Sequence, residues 1–148
     1  MGSLTERLGP KVYLDANFFI YVLEAVEPWT RSAREVLGAL DRGDLRAVTS
    51  ELSLAECLVK PLGLGRSEIA EAYLEFLKDR RSLTVRPITR EILIEAARLR
   101  GLSRIKLPDA IHAATALQMG CSSFLTNDDR LKIEGIEVLG WPDLEASL

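Results

Sequence analysis

The chain has 148 residues, 47% of them hydrophobic, which is the length and apolar content of one ordinary domain able to bury its own core. A net charge of -3 excludes a protein that coats nucleic acid through bulk positive charge, and no apolar run approaches the roughly 20 residues of a membrane span. Its two cysteines, Cys57 and Cys121, stand in neither a CxxC nor a zinc spacing and read as buried thiols, so a disulfide scaffold is excluded and a cytoplasmic location is expected.

Residues 1–148 are expected to form a single domain, with 1–10 as a flexible leader too polar for a signal peptide. Val12, Tyr13 and Leu14 are strong strand formers that run into Asp15. In an open α/β sheet that position lies outside the carboxyl end of a strand, where ligands bind. Asn17 can cap a helix through Phe18, Phe19, Tyr21, Val22 and Leu23, apolar on more than one face and therefore expected in part to meet a partner. Pro28 suits a helix start, Ala33, Val36, Leu37 and Leu40 have helical spacing, and Gly43 stops them. Leu45 to Val48 reads as a short strand. Ser50 and Ser53 are candidate caps of a helix carrying Glu56, which Pro61 and Gly63 should end.

Ser67 opens a helix with Ile69, Tyr73, Phe76 and Leu77 on one face, and Leu83 to Ile88 gives a third strand. Thr89 caps a helix with Ile92, Ala96 and Leu99 toward the core, terminated by Gly101. Pro108 fits the first turn of a helix to Gln118, with Gly120 just beyond it. The many alanines of that helix imply close packing. Ser123 to Thr126 is a fourth strand ending in Asn127-Asp128-Asp129, Ile136 to Leu139 a fifth, and Trp141-Pro142 begins a tail. Strands alternating with helices indicate a parallel α/β sandwich.

Asp15, Glu56, Asp109 and Asp128 fall where such a sheet could gather them at one edge. Crowded carboxylates repel, raising one another's pKa, and a divalent cation removes the conflict. An oxygen-only donor set selects a hard ion, Mg²⁺ or Mn²⁺, and such ions activate water and stabilise in-line displacement at phosphorus, which is nuclease chemistry. The bland alternatives are turn or cap roles for Asp15 and Asp128, a solvated helix face for Glu56 and a helix-dipole charge for Asp109. His112, the only histidine, reads better as a packed side chain than as a catalytic one. Arg98 to Lys106 carries cations and no acid, and Arg100, Arg104 and Lys106 are candidates for a phosphate-binding rim.

Tyr13-Leu14-Asp15-Ala16-Asn17, Ser50-Glu51-Leu52-Ser53-Leu54-Ala55-Glu56, Leu107-Pro108-Asp109-Ala110-Ile111-His112-Ala113-Ala114-Thr115-Ala116 and Phe124-Leu125-Thr126-Asn127-Asp128 together resemble the PIN-domain ribonucleases, most closely the VapC-type toxins of toxin–antitoxin pairs. The resemblance covers almost the whole chain. It implies a three-layer PIN-like sandwich, a central mainly parallel sheet flanked by helices, and metal-dependent cleavage of RNA. It implies also that Asp15, Glu56, Asp109 and Asp128 hold Mg²⁺ or Mn²⁺, with Asn17, Thr126 and Asn127 orienting them. A homodimer and a small antitoxin partner are implied too, the latter along an exposed aromatic region of Phe18, Phe19, Tyr21 and Trp29. Asp129, beside Asp128, is a further acid at the strand end. The rivals are a PIN nuclease of RNA processing without an antitoxin, a receiver-like Mg²⁺-binding module, which would need paired acids at the first strand, and a haloacid-type phosphatase, which would need an acid where Asn17 stands.

Overall fold

In the computed structural model, which describes residues 4–128 and 130–147, alternation along the strands dictates the layers. The strands are β1 (Lys11–Leu14), β2 (Arg46–Ser50), β3 (Leu83–Arg86), β4 (Ser123–Thr126) and β5 (Glu137–Gly140). They form one sheet in the order β3-β2-β1-β4-β5, and every pairing between them is parallel. Because successive strand side chains leave opposite faces, Val12 and Leu14 enter one apolar cluster while Tyr13 enters another.

On the first face, Val12, Leu14, Ala47 and Leu125 meet α1 (Leu4–Leu8), α2 (Ala16–Glu24), α3 (Thr30–Arg42), α5 (Ser67–Phe76) and α8 (Trp141–Ser147). On the second, Tyr13, Val48 and Phe124 meet Ala113 and Ala116 of α7 (Leu107–Gln118). Helix α6 (Arg90–Leu102) packs Ile92 and Ala96 against Ala110 and Ala114 of α7, whose alanines permit the close approach. Helix α4 (Glu51–Gly63) contributes Cys57 to the first cluster and Leu52 to the packing around α6 and α7. The result is the expected three-layer sandwich.

The chain leaves the central β1 for β2 and β3, then returns to place β4 on the other side of β1. The crevice at such a reversal lies outside the carboxyl ends of the two strands that flank it. Asp15 follows β1, and Asp128 follows β4 by two residues. A receiver-type sheet has the order 2-1-3-4-5, so this topology removes the receiver-like reading.

Several local expectations change. Asp15, not Asn17, caps α2, its Oδ1 accepting the Asn17 N–H at 3.1 Å. Phe18 and Phe19 are 1% and 0% exposed and Tyr21 is buried, so the expected exposed aromatic docking region does not exist there. Helix α2 is apolar on several faces because it is wedged against α3, α4 and α5. Trp29 is partly buried against the same core.

The expected tail is α8, whose Trp141 is fully buried, stacked on Phe18 and edge-on to Tyr21. The expected leader contains α1, with Leu8 buried and its carbonyl accepting the Ser123 hydroxyl at 2.5 Å; residues 1–3 lie outside the described residues. Helix α4 continues through Pro61 to Gly63, and α6 through Gly101 to Leu102. Helix α3 starts at Thr30 and stops at Gly43, which takes φ +79° as a left-handed cap must.

Candidate functional site

Asp15 is held from two sides at the switch point. The Asn17 N–H and the Thr126 hydroxyl both donate to its carboxylate, and Thr126 Oγ1 accepts the Asp128 N–H at 3.2 Å. One strand-end threonine thus ties the acid after β1 to the acid after β4. Asp15 keeps part of its surface open, yet burial pushes its carboxyl up to about 6, against the pull of His112, the Asn17 N–H and Thr126. It is a carboxylate short of positive charge.

Asp109 enters from the opposite layer, in the first turn of α7 behind Pro108. Burial raises its pKa, and the negative charges of Asp128 and Glu56 add to the rise while His112 and Lys106 oppose it. The mutual repulsion expected of these acids is therefore present but secondary to burial. Asp128 departs from that expectation altogether. The Arg130 N–H and guanidinium reach its Oδ1 at 3.0 and 3.2 Å and lower its pKa.

Glu56 lies on the solvent side of α4, with its side chain 38% exposed, and its Oε1 sits 2.6 Å from His112 Nε2. His112 is 2% exposed, as a packed histidine should be, but it is not merely packed: its Nδ1 lies 2.5 Å from the Tyr13 hydroxyl. Among the described residues no three His, Cys, Asp or Glu side chains converge closely enough to hold one ion. In this arrangement one oxygen of Glu56 is engaged by His112 and one of Asp128 by Arg130. Asp129 lies outside the described residues.

Asp109 and Asp128 line a cavity of about 470 Å³ whose other walls include Arg104, Lys106, Arg130 and Lys132. Of the three cations expected at a phosphate rim, Arg104 and Lys106 line this cavity, whereas Arg100 is exposed on α6 and does not. Arg130 and Lys132 were missed, although a cation two and four residues after Asp128 is a readable signal. Asn127 turns its side-chain amide to the Tyr21 hydroxyl, away from the role of orienting the acids. Asn17 serves Asp15 through its backbone.

Residues 12–134 match the PIN domain family. No curated protein matches the chain by sequence. Among solved structures, VapBC2 of Rickettsia felis bound to a fragment of its promoter DNA is similar with a TM-score of 0.69 at 20% identity, covering 88% of this chain and 98% of that one. DNA-bound VapBC of Salmonella typhimurium gives 0.59 at 23% identity over 89% and 98%. VapC20 of Mycobacterium tuberculosis, described as a sarcin-ricin loop cleaving toxin, gives 0.63 at 15% identity over 76% and 86%. At these identities the likeness is one of fold.

Proposed function

The chain belongs to the PIN domain family, and from that premise we propose that it is a divalent-metal-dependent endoribonuclease and the toxin of a VapBC-type toxin–antitoxin pair. The observation that carries the reading is the run of acids around the carboxyl ends of β1 and β4: burial drives Asp15 and Asp109 toward neutrality, both feel the charge of Glu56, and Asp109 shares with Asp128 a cavity walled by Arg104, Lys106, Arg130 and Lys132. Oxygen-only donors of this charge suit Mg²⁺ or Mn²⁺. Asp15 and Asp109 would hold the ion, with Asp128 and Glu56 completing the set. When bound, such an ion lowers the pKa of a water and offsets charge developing on the phosphodiester.

The chain's own contribution is to bind and orient. Thr126 and the Asn17 N–H fix Asp15. The four cations receive backbone phosphates, a task that needs charge but no base-specific contact. The complexes in which similar folds were solved support an antitoxin partner. A homodimer belongs to the same proposal, and the apolar surface open to partners is aliphatic: Val59 and Leu62 on α4, Ile94 and Leu102 on α6, all more than half exposed.

The experiment follows from what attacks phosphorus. His112 is buried and bonded at both ring nitrogens, so no free imidazole is available to deprotonate a ribose 2′-hydroxyl. Cleavage by water should leave a 5′-phosphate and a 3′-hydroxyl. End-labelled single-stranded or looped RNA incubated with the protein and Mg²⁺ reads this directly. Intact RNA, or products ending in a 2′,3′-cyclic phosphate, would overturn the proposal.

A further inference from the structure

We propose that His112 and Tyr13 are positioning residues that set the orientation of Glu56 as an ion ligand. The inference rests on the metal-site reading above and deepens it. Glu56 lies well inside α4 on its solvent side, where a glutamate ordinarily samples many rotamers. Here its Oε1 is held 2.6 Å from a nitrogen of a ring that is itself confined, because His112 is 2% exposed and set edge-on to Tyr13 of β1 with ring centroids 5.5 Å apart.

The hydrogen-bond polarity is determined by chemistry. A carboxylate only accepts, so Nε2 carries the hydrogen that Glu56 receives. In the neutral ring Nδ1 is then an acceptor, and the Tyr13 hydroxyl, 2.5 Å away, donates to it. Tyr13 is fully buried in the central strand, stacked on Phe124 at 4.8 Å, with burial raising its pKa and keeping it a donor. A rigid hydroxyl in β1 thus selects the tautomer of a rigid imidazole on α7. That imidazole in turn holds one oxygen of a mobile carboxylate on α4. Only Oε1 is taken by the ring; Oε2 is the oxygen the same carboxylate can offer to an ion.

The chain also explains why three layers must be assembled before the site exists, since Tyr13, Glu56 and His112 come from β1, α4 and α7. Partners that orient metal ligands typically change affinity by about 10- to 100-fold when removed. Removing either member of this pair should therefore weaken the ion without abolishing the fold.

The test is Mn²⁺ affinity by titration, measured alongside thermal unfolding in EDTA. His112→Phe should weaken Mn²⁺ binding by about tenfold. Tyr13→Phe, a milder change, should weaken it in the same direction, and His112→Gln, which returns a donor near the Nε2 position, should recover most of the loss. In a Glu56→Gln background His112→Phe should cost nothing further. A merely structural histidine would lower the EDTA melting temperature and give the same loss of affinity in both backgrounds. Unchanged or tighter Mn²⁺ binding by His112→Phe and Tyr13→Phe, with wild type binding normally, overturns this inference alone. A wild-type protein that binds no Mn²⁺ overturns the metal-site reading and this inference with it.

Discussion

Asp15→Asn is expected to cut RNA roughly a thousandfold more slowly than wild type while remaining folded, an effect of the size produced by deleting one preorganised electrostatic partner of a transition state. That ratio corresponds to about 4 kcal/mol. The fold should survive for a specific reason. Asp15 caps α2 through Oδ1, and asparagine retains an oxygen at that position and caps helices as well as aspartate does. Asp109→Asn should give a comparable loss, since its carboxyl lines the cation-walled cavity with Asp128 and its removal leaves Pro108 and the first turn of α7 intact. Single-turnover cleavage rates, with circular dichroism as the check on folding, measure both. Near-normal rates in both variants would place the chemistry elsewhere.

The second large effect is on stability in the absence of metal. Burial holds the Asp15 carboxyl near about 6 in the folded protein, compared with an ordinary value of 3.8. The folded state therefore keeps its proton when the unfolded chain has lost it. Between about pH 4 and pH 6 the native state binds more protons, and its stability falls as pH rises through that window, then levels off. Two pH units correspond to no more than about 3 kcal/mol, reduced by the part of Asp15 that faces the crevice. Asp109 acts in the same direction. Asp128 opposes it, because its lowered pKa adds stability above the ordinary carboxylate range and loses it as pH falls. In EDTA, Asp15→Asn should match wild type near pH 4 and exceed it by one to about 3 kcal/mol above pH 6. Urea unfolding at the two pH values measures the difference; a gap that does not change with pH would contradict the burial of this carboxyl.

What could be read from the residues follows physical range. Asp15 was legible because a strand of Val12, Tyr13 and Leu14 must end somewhere, and Asp109 because Pro108 marks a helix start. Glycine at the end of α3 was legible for the same local reason. The bond between Tyr13 and His112 spans 99 positions, and that between Glu56 and His112 spans 56, so no window of sequence contains both partners. Apolar faces misled where they were plentiful. Phe18, Phe19 and Tyr21 look like surplus hydrophobic surface until α3, α5 and Trp141 close over them. Helices α1 and α8 were missed because five and seven residues are too few to show a period. Arg130 and Lys132 were within reach, lying immediately after the last strand-end acid.

The measurement that most directly tests metal-dependent cleavage at this crevice is RNA hydrolysis by protein stripped with EDTA and then returned to Mn²⁺. The expected result is no cleavage in EDTA, full recovery when Mn²⁺ exceeds the chelator, and no recovery for Asp15→Asn. Undiminished cleavage in EDTA, or equal recovery by Asp15→Asn, would contradict it.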